Sequence, residues 1–210
     1  NVPAIRALVL IGVAPTHALL RRAGMTTLLD DPDHYGFSLA LGSADVSLLE
    51  LTNAYRAIAN GGVTSPFRFS VGSHSVTTQN AEKRLFSEAT AWLITDILAD
   101  RGARYVTFGF DNPLALSHWA AVKTGTSKDM RDNWTIGYNT RVTVGVWVGN
   151  ASGAPMHNVT GITGAGPIWA DVMEAATAKF GAGRAAAAPA SLVRRHVRFL
   201  AGGSRIEAAR

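Results

Sequence analysis

The sequence predicts an α/β fold, and three observations carry that expectation. Residues 118–127, 133–139 and 141–149 read as antiparallel strands joined by short turns. Apolar residues recur at helical spacing in three stretches ahead of them. The run Gly161–Trp169 then opens a further helix, with Pro167 near its first turn, where a fixed φ and a missing N–H are tolerated.

The helical stretches come first in the chain. Val2–Val13 carries Ile5, Leu8, Val9 and Ile11, with Pro3 suited to its first turn. Ser47-Leu48-Leu49-Glu50 is a capping-box pattern, in which serine takes a backbone N–H of the first turn and glutamate returns to the serine's own N–H. The helix it opens runs through Ala59 and stops at Gly61-Gly62. Ser87 caps a third helix to about Asp100, expected to bury Trp92, Leu93, Ile97 and Leu98. Residues 64–84 are mixed polar and read as a loop or one or two short strands.

The strands carry the chemistry. Arg141–Asn150 alternates and is rich in β-branched and aromatic residues, and Asn139-Thr140 gives a tight turn back onto the preceding strand. Trp119–Val122 leads into Lys123-Thr124-Gly125-Thr126-Ser127. Strand alternation puts Lys123 and Gly125 on one face, Thr124 and Thr126 on the other. A glycine inside a strand marks a place where a ligand or another backbone comes close. The lysine sets a cation at that gap, and the threonines offer hydroxyls to a carboxylate. Such a run suits an extended, anionic peptide end lying along a sheet edge. Its plain alternative is a polar strand end followed by a turn at Ser127-Lys128-Asp129.

Composition bounds the rest. The 210 residues suffice for one domain with its own core, and 47% hydrophobic content is ordinary for a globular chain. The absence of cysteine excludes disulfides and thiolate metal sites. The six histidines (17, 34, 74, 118, 157, 196) show no short metal-ligand spacing and are expected to be surface or incidental; neither metal nor cofactor is expected. No apolar run reaches eighteen residues. The net charge of +5 resides beyond residue 180, where six arginines face one acid, Glu207. There Ala185–Ala190 reads as a linker, and Leu192–Phe199 alternates weakly, as a strand does. The expected organisation is therefore a domain over 1–182 and an Arg-rich linker over 183–210, mobile or loosely packed. Such charge could attract anionic lipid headgroups or cell-wall polymers, but spread basic residues favour a solvated linker. Only Phe199 could stack on a base, so nucleic acid is not an expected partner.

Several ordered motifs point further. KTGTS at 123–127, RDNWTIGY at 131–138, VTVGVWVGN at 142–150, GAGPIWADVM at 164–173 and LALGSADVSLLELTNAYRAIANGGV at 39–63 resemble the transpeptidase domain of class A penicillin-binding proteins, most closely the 1C subgroup. The resemblance spans roughly 1–175 and implies a β-lactamase/transpeptidase-like fold, a central, mainly antiparallel sheet with helices on both faces, incomplete in this chain. It also implies serine acyl-enzyme chemistry built on three elements, S-x-x-K, S-x-N and K-T-G. No serine here is followed by lysine three residues on, and no S-x-N is present. Asn1 matches the last residue of the second element, so the chain is expected to begin inside the site, with the nucleophile serine absent from it. A membrane anchor and a peptidoglycan glycosyltransferase domain are then expected upstream, on the periplasmic face of a bacterial inner membrane, and a further C-terminal domain beyond 210.

The roles implied by the resemblance fall on named positions. Lys123 holds the positive potential of the site and relays a proton; Thr124 and Thr126 hydroxyls bind the terminal carboxylate of a D-Ala-D-Ala stem peptide or a β-lactam. The Thr126 N–H supplies half of an oxyanion hole, Gly125 lets the acyl chain lie against the strand, and Asn1 bonds the substrate amide. Arg131 and Asp132 brace the turn. Two alternatives stand beside a D,D-transpeptidase. One is a D,D-carboxypeptidase or β-lactamase, which the Gly145–Gly149 strand and the 39–63 segment argue against; the other is a non-catalytic binding or structural module.

Overall fold

A three-stranded antiparallel sheet between two sets of helices organises the computed structural model, which describes residues 1–67, 69, 82–195, 197–199 and 206–208. The helices are α1 (Val2–Ile11), α2 (Val13–Arg22), α3 (Pro32–Tyr35), α4 (Leu48–Ala59), α5 (Glu88–Ala99), α6 (Arg101–Phe108) and α7 (Gly166–Phe180). A 3-10 turn spans Gly36–Leu41, and a π-turn, Gly161–Ala165, leads into α7. The strands are β1 (Val63–Thr64), β2 (Lys83–Arg84), β3 (Ala121–Thr126), β4 (Asp132–Tyr138), β5 (Thr143–Gly149), β6 (Val197–Phe199) and β7 (Ile206–Ala208). They pair as β1-β2, β3-β4-β5 and β6-β7, all antiparallel. Most of the 64–84 stretch lies outside the described residues.

Register decides what each face carries. Lys123 pairs with Ile136, Gly125 with Trp134, Trp134 with Trp147 and Ile136 with Gly145. Directly paired residues share a face, so this set looks toward α4 and α5. Gly145 is what lets α4 approach: a Cβ there would fall 2.0 Å from the Thr52 hydroxyl. The opposite face carries Val122, Thr135, Gly137 and Val146, and packs on α7 through Leu114, Leu116, Trp169 and Met173. A second core joins the remaining helices through Leu8, Ala23, Met25, Leu28, Tyr35 and Leu39, with Ala54 from α4. Among the described residues no single helix is long and apolar enough to cross a membrane.

Capping behaves as the sequence suggests. The Glu50 N–H donates to Ser47 Oγ at 3.2 Å and Ser47 N–H to Glu50 Oε2 at 3.5 Å, completing the box at the head of α4. Thr90 N–H donates to Ser87 Oγ at 3.1 Å. The β4–β5 turn is held by Asn139, whose Oδ1 accepts from the N–H groups of Arg141 (2.7 Å) and Val142 (2.9 Å).

The structure departs from expectation in five places. The helix expected over 2–13 ends at Ile11, because Gly12 sits at φ 94, and α2 leaves at 96° to α1. Asp100 does not merely end α5: it accepts from Ala103 N–H at 3.0 Å and caps α6, a helix hidden in the sequence by Gly102. On α5 it is Ala91 that is fully buried, while Leu93 and Ile97 stay 45% and 65% exposed. A small side chain lets α5 lie close to the sheet and turns its bulkier residues outward. His17 and His118 are not surface residues. His17 stacks on Tyr35 with ring centroids 5.6 Å apart, and the His118 side chain lies between Thr177 (3.1 Å) and Glu174 (3.4 Å). Finally, the 183–210 segment starts out packed. Gly183 is buried against Thr140, where a Cβ would meet Oγ1 at 2.1 Å, and Trp92 Nε1 donates to Ala186 O at 2.9 Å.

That packing sharpens a stability prediction. Truncation after Ala187 is expected to leave the melting temperature within about 2 °C of the parent, since it removes no fully buried side chain among the residues whose burial is described and only Pro189 and Leu192 are half-buried there. Truncation after Ala182 removes the buried Gly183 and leaves the Trp92 N–H without its acceptor, and is expected to cost about 5 °C. Thermal melts of the two truncated chains check this; equal values would place the whole segment outside the fold.

Candidate active site

The KTGT run occupies β3, and β3 is an edge of its sheet. On one side it pairs with β4 from Ala121 to Thr126; on the other the described residues supply no strand. Over the Lys123 face of the sheet, and reaching this edge, opens a cleft of about 630 Å³. Its walls are residues 123–127, the β4 and β5 side chains Asp132, Trp134, Ile136 and Trp147, α4 residues including Leu48, Leu51 and Tyr55, and residues between Leu39 and Val46 that are apolar apart from Asp45.

Gly125 lies against Trp134, and a Cβ there would sit 3.6 Å from the Trp134 Cβ, an ordinary contact. Internal packing therefore does not require a glycine at 125. What its bare backbone does is leave the strand surface open to a ligand. Lys123, two residues earlier, donates from Nζ to Thr124 O at 2.6 Å, and no carboxylate pairs with it among the described residues. Solvent reaches its side chain, yet the cleft walls withdraw enough water to push its pKa below the ordinary lysine value. The site thus holds a cation with no ion-pair partner among the described residues, in a largely apolar cleft whose other charges are Asp45 and Asp132.

The threonines differ. Thr126 Oγ1 accepts from Gly161 N–H at 2.9 Å, which fixes its rotamer and leaves its own hydroxyl proton to donate. Gly161 can come this close because it has no side chain: a Cβ there would lie 2.5 Å from Gly125 O. Thr124 lines the cleft half-buried. Asn1 is placed apart from these. It stands exposed at the head of α1, caps nothing with its side chain, and is not among the residues lining the cleft.

Just past the edge the chain turns through Ser127–Arg131, with Asp129 and Met130 at φ 58 and 56. Residues that are not glycine adopt that region at a cost, so the turn must be held. Arg131 contributes by donating to Gly153 O at 2.7 Å and pairing with Asp129 at 3.7 Å. Asp132 holds it from the cleft side, through Ser127 and Trp147. Ser127, Trp147 and Tyr55 were not singled out from the sequence. Alternation could have found the tryptophan, since the period of two puts 132, 134 and 147 on the Lys123 face. Burial pushes the Tyr55 phenol up to about 12, so it stays protonated in the cleft wall at neutral pH.

Residues 30–174 match the model for the penicillin-binding protein transpeptidase domain. The chain belongs to that family. It is 32% identical over 168 residues to penicillin-binding protein 1C of Escherichia coli (strain K12), covering 80% of this chain and 21% of the relative. Against penicillin-binding protein 1F of Bacillus subtilis (strain 168) it is 32% identical over 159 residues, covering 71% and 22%. The chain therefore spans about a fifth of the length of these curated relatives. Among solved structures, penicillin-binding protein 1A from Haemophilus influenzae superposes with a TM-score of 0.76 at 20% identity, over 99% of this chain and 38% of that one. The PonA1 protein of Mycobacterium tuberculosis in complex with penicillin V superposes at 0.66, also at 20% identity, over 88% and 55%. These likenesses fix the fold as that of penicillin-binding transpeptidase domains, and the family is one of cell-wall peptidoglycan synthesis.

Proposed function

We propose that this chain forms the substrate-edge half of a serine D,D-transpeptidase that cross-links peptidoglycan stem peptides and is acylated by β-lactams. The observation that carries the reading is the edge of β3, left without a further strand among the described residues, which presents Lys123, Thr124, Gly125 and Thr126 along a cleft, the lysine having no ion-pair partner among those residues. An extended peptide ending in D-Ala-D-Ala can add to such an edge by main-chain hydrogen bonds, the mode by which exposed strands bind peptides. Its carboxylate then meets the Thr124 and Thr126 hydroxyls and the Lys123 charge. The Thr126 N–H faces the carbonyl under attack, where one such donor is worth about 3 kcal/mol of barrier.

A serine bearing the S-x-x-K pattern is the nucleophile in this reading, and the 210-residue sequence holds none. Asn1, the residue matching the end of S-x-N, stands apart from this cleft, so no substrate contact is assigned to it. The parent protein is a bifunctional, membrane-anchored enzyme of the periplasm that carries a peptidoglycan glycosyltransferase as well, and is an antibiotic target. The likeness to penicillin-binding protein 1C supports the family reading, and the penicillin V complex of PonA1 supports acylation by β-lactams.

The 210-residue chain alone is expected to form no covalent adduct with a fluorescent penicillin, whereas the same chain joined to an S-x-x-K segment is expected to be labelled. Gel fluorescence and intact-mass spectrometry check both. A stable adduct on a serine of the chain alone, or no labelling of the joined polypeptide, overturns the reading.

A further inference from the structure

We infer that Asp132 is a positioning residue for the reaction at the β3 edge, acting through Ser127 and Trp147; this rests on the transpeptidase reading above. Both carboxylate oxygens are engaged. Ser127 Oγ donates to Oδ2 at 2.8 Å, and Trp147 Nε1 donates to Oδ1 at 3.0 Å. The backbones close the same ring: Asp132 N–H donates to Ser127 Oγ at 2.9 Å, and Ser127 N–H donates to Asp132 O at 3.0 Å. No lysine, arginine or histidine pairs with Asp132 among the described residues, so the carboxylate is held by neutral donors in the cleft wall.

The position of this ring matters more than its strength. Ser127 directly follows Thr126, whose N–H and hydroxyl face the ligand in the proposed reaction. On its other side stand Asp129 and Met130 in the left-handed region, a turn that relaxes if nothing restrains it. Trp147 belongs to β5, two strands from the edge, and it pairs across with Trp134, which backs Gly125. Asp132 thereby ties the last residue of the binding edge to the interior of the sheet. The same ring settles the role of Ser127. Its hydroxyl donates to one atom of Asp132 and accepts from another, so it is a strut of the edge and not a ligand for substrate.

Geometry at this level is worth a great deal in rate, since misplacing a reacting group by about 1 Å can cost about a hundredfold. In the chain joined to an S-x-x-K segment, Asp132→Ala is expected to lower the acylation rate by fluorescent penicillin about a hundredfold. Asp132→Asn keeps an acceptor for Trp147 Nε1 and gains an amide that can donate to Ser127 Oγ, so it is expected to recover to within about fivefold of the parent. Trp147→Phe, which removes only the indole N–H from the ring, is expected to fall between them and guards against an Asp132→Ala chain that does not fold. In the isolated chain, amide exchange at Thr126 and Ser127 is expected to quicken in Asp132→Ala and not in Asp132→Asn. If the parent joined polypeptide is not acylated, the transpeptidase reading itself fails. If the parent is acylated and Asp132→Ala matches it, or if Asp132→Asn is no better than Asp132→Ala, the positioning role alone is overturned.

Discussion

Lys123→Ala is expected to slow acylation about a thousandfold in a polypeptide that joins this chain to an S-x-x-K serine, while the melting temperature stays within about 2 °C. The size follows from where the charge sits. Lys123 is the lysine of the cleft wall, no carboxylate forms an ion pair with it among the described residues, and the apolar side chains that line most of the cleft keep its field from being fully screened. Its side chain stays exposed and packs against little, so truncation removes charge and not core. Lys123→Arg keeps the charge on a planar head with different reach and is expected to recover part of the rate. The pH profile gives an independent reading. Desolvation lowers the ammonium's pKa, so the cationic form is present below that value and is lost as pH rises through it. Acylation that needs the cation is therefore expected to decline on the alkaline side at lower pH than an ordinary lysine would set, and this limb is expected to vanish in Lys123→Ala. Near-parental acylation by Lys123→Ala would return the K-T-G run to an ordinary strand end.

Why the site was partly legible in the sequence is itself physical. Strand alternation is a rigid rule, and it placed Lys123 opposite Thr124 and Thr126 correctly; the cross-strand register then makes the same rule link Lys123 to Trp134 and Trp147. Caps are local, so Ser47 and Ser87 could be read from a few residues each. What stayed hidden depends on tertiary context. Nothing local tells that α5 turns Ala91 inward, or that two histidines are buried, because those outcomes are set by how close the neighbouring elements lie. The second helix hid behind Gly12, whose positive φ breaks an apolar run that otherwise continues. Asp132 illustrates both sides. Its bracing role was visible as a charge beside a turn, but its partners, a serine five residues back and an indole on the next strand, come only from the folded register.

The largest effect on stability is expected at Trp169. It is the bulkiest fully buried side chain, at 0% exposure, and it belongs to α7 on the face of the sheet opposite the cleft. Its ring lies beneath Gly137 of β4, where an added Cβ would come within 2.4 Å of Cζ2, so the missing side chain of one residue is the seat of the other. Its Nε1 donates to Val144 O at 3.2 Å, fastening α7 to β5. Trp169→Ala removes the packing between Leu116, Val122, Val146 and Met173 and leaves a cavity that their backbones cannot close, which costs about 3–5 kcal/mol. Loss of the Trp169 Nε1 hydrogen bond to Val144 O adds about 1 kcal/mol. Against a total stability of about 5–15 kcal/mol for a domain, that brings the chain near its unfolding threshold. Trp169→Phe retains most of the apolar volume and loses the N–H, and is expected to cost about 1–2 kcal/mol. Urea unfolding of the 210-residue chain, followed by circular dichroism, separates the three proteins. A Trp169→Ala loss below about 1 kcal/mol would mean that α7 does not hold the sheet, and the support beneath β4 would then have to come from elsewhere.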